Sequence, residues 1–244
     1  MSESLVVGFL GAGGIARAHA YALNSLKYFY SEVPEIRFEA VCSARKESRD
    51  AFAAQYGFRK SLSPEAFKED PAINTVLILG PKKVHFEHLK MALEMPSVQR
   101  IYLEKPVCSN QEEEAEMAQM GAKTGKQIQV GFQYLQTASV REALAFWHSG
   151  KLGKPIHFDL KYYHGDYLLQ SYRDKRVTRL TPSPDGGAMA DLGSHGISLL
   201  MAFLGEELRI TSAQQAGRFE DVPVDSDLFS CLSLVDTRTY AAGT

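Results

Sequence analysis

Short apolar runs alternate with stretches of helical period over the first half of the chain. Residues 5–10, Leu-Val-Val-Gly-Phe-Leu, are almost continuously apolar, as a parallel strand covered on both faces requires. Residues 36–42, 75–79, 101–103 and 127–132 read as further strands of this kind. Between them the period shifts to that of helices at 15–29, 48–56 and 84–93, the second with Ala51, Phe52 and Ala54 for packing. Asn110 followed three positions later by Glu113 marks another helix start, a capping box. The acids Glu112, Glu113, Glu114 and Glu116 then read as a solvated first turn favoured by the helix dipole. Regular alternation of strand and helix predicts a doubly wound parallel sheet.

Around Tyr134 the pattern changes. An amphipathic helix at 140–148 leads into an alternating, half-exposed strand at 155–163, and a polar loop rich in Tyr and Arg runs over 162–179. A helix at 189–204 and strands at 209–216 and 228–235 complete the chain. The predicted fold is α/β. A Rossmann-type domain spans residues 1–133, and an α+β domain with an open, mostly antiparallel sheet spans 134–244.

Composition narrows the classes. The chain has 244 residues, 45% hydrophobic and 23% charged, as in soluble globular proteins with a sizeable core. A formal net charge of −2 lacks the basic excess of a general nucleic-acid binder. No apolar run reaches the roughly 18 residues of a membrane span. The N-terminus has neither the basic start nor the cleavage site of a signal peptide, so a cytoplasmic location is expected. Cys42, Cys108 and Cys231 form no CxxC pair and read as buried free thiols.

Candidate chemistry begins where the first strand ends. Gly11, Ala12, Gly13, Gly14, Ile15 and Ala16 fit G-x-G-x-x-G/A between a strand and a helix. The first glycine permits the tight turn, and the second lets the backbone approach a pyrophosphate. The small third residue lets the helix pack on the sheet, while its N-terminus offers free N–H groups. The tip of the second strand, Cys42-Ser43-Ala44-Arg45-Lys46, lacks the carboxylate that usually bonds the ribose hydroxyls of NAD. Ser43 and Arg45 could instead hold a 2′-phosphate, which favours NADP over NAD. The plainer alternative is that Arg45, Lys46 and Arg49 are surface charges.

Further candidates lie downstream. Glu104-Lys105-Pro106 follows a strand at its carboxyl end, where open α/β sheets bind ligands, though an isolated Lys-Pro also suits a surface turn. Asp191 and His195, four apart on one predicted helix, project from one face. They could be an acid/base with its partner, a structural pair, or two metal ligands. No third or fourth ligand has suitable spacing, so no metal is expected. Gly186-Gly187 and Gly193 keep backbone crowding near a ligand low. His85 and His88 read as local packing and surface. Gln133 and Tyr134, together with Tyr163 and His164 of the polar loop, are candidates for a substrate side, with a solvated loop as the alternative.

Taken together, the glycine loop, Pro81 with His85, Glu104-Lys105-Pro106, and Gly186-Gly187 before Asp191-Leu-Gly-Ser-His195 resemble the glucose–fructose oxidoreductase / inositol dehydrogenase / MocA family. The match runs over nearly the whole chain in order. The resemblance implies an NAD(P)-dependent oxidoreductase that moves a hydride between the nicotinamide and a carbinol or carbonyl of a sugar, polyol or related compound. It implies that Lys105 contacts the reacting hydroxyl and the nicotinamide side, that His195 is the acid/base, and that Asp191 supports the substrate or the base. Pro81, His85, Glu104 and Lys105 would join the glycine loop in the cofactor site, and Pro106 would often be cis. Members of the group usually run considerably longer. The C-terminal sheet is therefore expected to be incomplete, with an unpaired edge that invites association or aggregation, and a homo-oligomer through this sheet is expected if the sheet is complete. A sugar-sensing protein without turnover and an NAD-dependent glycosidase of the same fold are the alternative functions.

Overall fold

Residues 4–175, 187–219, 222–223 and 226–244 are described by a computed structural model. Contacts divide the chain into two units, Met1–Gly131 and Phe132–Thr244.

In the first unit β1 (Leu5–Leu10) enters a parallel sheet with β2 (Ile36–Cys42), β3 (Lys60–Leu62), β4 (Thr75–Ile78), β5 (Arg100–Leu103) and β6 (Gln127–Val130). The order is β3-β2-β1-β4-β5-β6. Strand order reverses between β1 and β4, which opens the crevice where doubly wound folds bind their ligands. The helices are α1 (Gly14–Phe29), α2 (Lys46–Tyr56), α3 (Pro64–Lys68), α4 (His85–Glu94) and α5 (Gln111–Lys123).

The alternation of strand side chains produces two cores. Val7, Phe9, Phe38 and Leu77 pack with Ala16, Ala20, Phe52 and Ala53 on one face. Leu10, Val76 and Ile78 pack with Leu89, Ala92 and Met117 on the other. Phe58 meets both Phe9 and Phe38 edge-on, with ring centroids 4.9 Å apart in each case. Gly8 is required by packing, because a Cβ there would lie 2.6 Å from Phe67 Cζ.

Several local expectations shift. In α2, Phe52 and Ala53 face the core while Ala51 and Ala54 are exposed, since the helix starts two residues early and rotates only a narrow stripe inward. β3 and α3 have no apolar run to announce them. β3 is a half-buried triplet, and α3 is set by Ser63, whose Oγ accepts from the Ala66 amide at 3.3 Å, with Pro64 in the first turn. Asn110 does cap α5, accepting from the Glu113 amide at 2.8 Å. The Glu113 carboxylate reaches past the cap to the Ser109 amide at 2.8 Å.

The second unit holds α6 (Ala138–His148), β7 (His157–Phe158), α7 (Gln170–Lys175), a π-helical turn at Met189–Gly193, and α8 (Ser194–Leu204). Then come β8 (Leu208–Ala216), the short pair β9 (Arg218–Phe219) and β10 (Val222–Pro223), β11 (Phe229–Asp236) and β12 (Ala242–Gly243). The larger sheet has the order β7-β12-β11-β8. β11 is antiparallel to both neighbours, and β12 is parallel to β7. The sheet is thus open and mostly antiparallel. Leu200 and Leu204 of α8 pack on Leu234 of β11, with Trp147 of α6 donating its Nε1–H to the Phe203 carbonyl at 2.6 Å. Of the strand expected at 155–163, only His157–Phe158 is strand, paired with Ala242 and Gly243 of β12.

The expected helix at 189–204 starts with a π turn. Asp227 anchors it: its carbonyl accepts from the Ala188 amide and its Oδ2 from the Met189 amide, both at 2.8 Å. Gly187 has φ +87°, and a Cβ there would collide with the Asp227 carboxylate. The crowding that calls for this glycine therefore comes from Asp227. At Gly193 a Cβ would meet Met189 instead. Gly186, Arg176 and Arg179 lie outside the described residues. Among the described residues no helix is long and apolar enough to cross a membrane.

Candidate active site

The glycine loop joins β1 to α1. Gly11 has φ +132°, and a Cβ on it would lie 2.7 Å from the Gly80 amide nitrogen and the Leu79 carbonyl carbon, so only glycine lets β1 turn past the end of β4. Gly13 and Gly14 are exposed with open space before them, and Ala16 is fully buried against the sheet. Ala12 is half-buried and Ile15 exposed. No side chain caps α1 at Gly13, and its first turn carries no acid. An uncapped helix start of this kind leaves several N–H groups and the positive end of the dipole for an anion. The residues fit a dinucleotide's pyrophosphate.

β2 ends at buried Cys42, whose thiol burial pushes up to about 11. Beyond it Ser43 Oγ donates to the Arg45 carbonyl at 3.3 Å, and Arg45 is exposed. Arg49 of α2 reaches back, its Nη1 donating to the Ser43 carbonyl at 3.0 Å. Its Nε is buried with no hydrogen-bond partner among the described residues. Asp50 is turned away, bonded to Lys46 and Ser61. The strand tip therefore presents a guanidinium and a hydroxyl.

Past β5, the Lys105–Pro106 peptide is cis and Lys105 is half-buried. Glu104 is buried. Its Oε1 accepts from His19 Nε2 at 2.8 Å and from the Tyr102 hydroxyl at 3.1 Å, and its Oε2 from the Lys105 amide at 3.2 Å. Burial pushes this carboxyl up, but the His19 contact and the Tyr102 and Lys105 hydrogen bonds outweigh it and hold it below the usual range. Tyr102, buried beside that carboxylate, is pushed above the usual phenol range. Pro81 is exposed and opens the turn into α4. His85 is only 1% exposed. Its Nδ1 meets the Pro106 carbonyl and its Nε2 the Gly80 carbonyl, each at 2.9 Å. The ring is thus seated between two backbone carbonyls, one on each side. His88 also turns inward rather than to the surface, and burial with the nearby His85 charge pushes it down to about 4.

In the second unit His195, the second residue of α8, is 4% exposed. Its ring stands edge-on to Tyr134 at 4.8 Å and to Phe132 at 6.1 Å. The Tyr134 and Tyr162 hydroxyls are 2.7 Å apart. That bond, burial, and the charges of Tyr134 and Asp191 push Tyr162 up to about 12. Tyr134, Tyr162, Asp191 and His195 thus share one neighbourhood. The turn bearing Asp191 is π rather than α, and the Tyr134–Tyr162 pair lies beside both Asp191 and His195. Gln133, Tyr163 and His164 are exposed, and His164 pairs with Asp166 at 3.5 Å. Tyr163 and His164 line a largely apolar cavity of about 700 Å³ with Leu168, Met189, Ile197 and Phe229, which neither Asp191 nor His195 lines. Among the described residues no three His, Cys, Asp or Glu side chains gather as metal ligands.

His19, Tyr102, Phe132 and Tyr162 were not singled out from sequence. Their roles depend on partners far along the chain, such as the 85-residue separation of His19 and Glu104, and no local motif marks them.

Residues 5–132 match the GFO/IDH/MocA oxidoreductase family, NAD-binding Rossmann fold, and residues 140–239 its C-terminal domain. The chain belongs to this family. It is 27% identical over 210 residues to levoglucosan dehydrogenase of Pseudarthrobacter phenanthrenivorans, covering 84% of this chain and 52% of that one. It is 27% identical over 247 residues to scyllo-inositol 2-dehydrogenase (NAD(+)) of Bacillus subtilis, covering 100% and 67%. The fold is similar to that of levoglucosan dehydrogenase in complex with NADH and levoglucosan, with a TM-score of 0.81 at 22% identity over 99% of this chain and 66% of that one. An oxidoreductase domain protein from Kribbella flavida gives a TM-score of 0.84 at 23% identity, over 98% and 66%. The chain thus spans from about half to two thirds of these proteins' lengths.

Proposed function

We propose that this chain carries the dinucleotide-binding and catalytic groups of an NAD(P)-dependent dehydrogenase activity on a secondary hydroxyl of a sugar or polyol. The observation that carries the reading is the bare, acid-free start of α1 at Gly13 and Gly14, in a chain whose family is an oxidoreductase family with an NAD-binding Rossmann fold. The names of the relatives, which include levoglucosan and scyllo-inositol dehydrogenases, support the substrate class. Gly11 to Ala16 hold the pyrophosphate through backbone N–H groups. Ser43, Arg45 and Arg49 receive a 2′-phosphate, so NADP is preferred to NAD. Pro81, His85 and Glu104 shape the cofactor site, although buried His85 and Glu104 serve it through the backbone they hold.

A nicotinamide dinucleotide held by the Gly11–Ala16 loop would supply a hydride acceptor, or donor, for the carbinol carbon. In oxidation His195 takes the hydroxyl proton, and Asp191 orients it or the substrate. The Lys105 ammonium stabilises the alkoxide charge that develops on the oxygen. In reduction the same groups return the proton. The reading also carries association of copies through the C-terminal sheet and a cytoplasmic location.

The test is steady-state assay with NADP and NAD against levoglucosan, inositols, glucosides and glucose 6-phosphate. Reduction of NADP by at least one polyol is expected. Cofactor binding without turnover across such a panel would favour a sensing role and overturn the catalytic assignment.

A further inference from the structure

The loop carrying Lys105 is held on both flanks by histidines from different helices. On the far flank His85 of α4 bonds the Pro106 carbonyl and ties it to the Gly80 carbonyl beyond β4. On the near flank His19 of α1 bonds Glu104, whose other oxygen accepts the amide of Lys105 itself. Tyr102 shares the first oxygen, and its ring stands edge-on to His19 at 4.8 Å. The carboxylate fits only because position 131 is glycine: a Cβ there would lie 3.2 Å from Glu104 Oε2 and collide with the Tyr102 hydroxyl. His19 lies on the helix that opens at the phosphate loop, so one rigid element carries both the anion site and the contact that fixes Glu104.

We infer that His19 is a positioning residue for Lys105, acting through Glu104 and making the lysine's placement depend on α1. This rests on the reading of Lys105 as the group that faces the reacting oxygen. Removing His19 leaves that oxygen of Glu104 to the longer Tyr102 bond alone, which loosens the carboxylate's grip on the Lys105 amide. A glutamine at position 19 keeps an N–H donor and restores the grip.

The experiment is amide hydrogen exchange by NMR on the full chain without substrate, comparing wild type, His19→Leu and His19→Gln. In His19→Leu, exchange at Lys105 should accelerate about tenfold, the loss of one charge-assisted hydrogen bond, while Val7 and Phe9 amides in β1 keep their rates. His19→Gln should return Lys105 close to the wild-type rate. Equal Lys105 rates in wild type and His19→Leu would overturn the inference, as would acceleration throughout β1 that His19→Gln fails to reverse. Because no substrate is used, the result stands apart from the catalytic reading, which fails separately if wild type turns over no polyol.

Discussion

At the scale of single residues, Lys105 and Arg49 have separable roles in the proposed function. Lys105→Ala should abolish turnover while NADPH binding survives, because the phosphate contacts lie at the other end of the cofactor site. Normal turnover in that variant, measured by absorbance of the reduced nicotinamide, would remove Lys105 from the mechanism. Arg49→Ala should weaken NADPH roughly 10- to 100-fold, the worth of one charge-assisted contact, and leave NADH nearly unchanged. Ser43→Asp should reverse the preference by placing a carboxylate where the 2′-phosphate would sit. Equal losses for both cofactors in Arg49→Ala would return that residue to a purely structural role. The place of Lys105 at the carboxyl end of β5 was legible in sequence, because the apolar run at 101–103 stops at Glu104-Lys105-Pro106. The carboxylate hub around Glu104 was not, because its partners come from α1, β5 and β6 and meet only in the folded sheet.

At the scale of elements, the junctions carry the function. Gly11→Ala should lose dinucleotide binding and lower the melting temperature, since it needs φ +132° and has the Gly80 amide 2.7 Å from its Cβ position. A variant that binds NADPH normally would show that the turn tolerates a side chain. α4 should make the first unit sensitive to acid. His88 falls from 6.5 unfolded to about 4 in the fold, so between those values the unfolded chain binds more protons and stability rises with pH. Its contribution is fully present above pH 6.5 and lost as pH falls toward 4, on the order of 3 kcal/mol. His88→Gln should flatten denaturant stability across that window, and an unchanged slope would assign the acid sensitivity elsewhere. The strands at 5–10 and 36–42 and the cap at Asn110 were readable because apolar runs and capping chemistry are local. The π turn at Met189–Gly193 was not, because it is anchored by Asp227, 38 residues further on. The extent of the strand at 155–163 was not readable either, because a strand's own pattern does not encode what pairs with it.

At the scale of the molecule, the Rossmann unit and the α+β unit follow from the change of period near Tyr134, and both match domains of one oxidoreductase family. β8 lies at one end of the described order β7-β12-β11-β8 and is exposed along nearly its whole length, with Ile210 at 55%. Exposed edges of this kind invite pairing. Association through it should appear as a concentration-dependent sedimentation coefficient that Ile210→Lys reduces, and a monomer at all concentrations would exclude it. The central claim is that the bare helix start after β1 holds a dinucleotide whose 2′-phosphate is read at the tip of β2. It is tested most directly by equilibrium titration of the full chain with NADPH and with NADH, followed by fluorescence of the reduced nicotinamide. Saturable binding of both is expected, with NADPH about tenfold tighter; no saturable binding of either, or NADH bound as tightly as NADPH, would refute it.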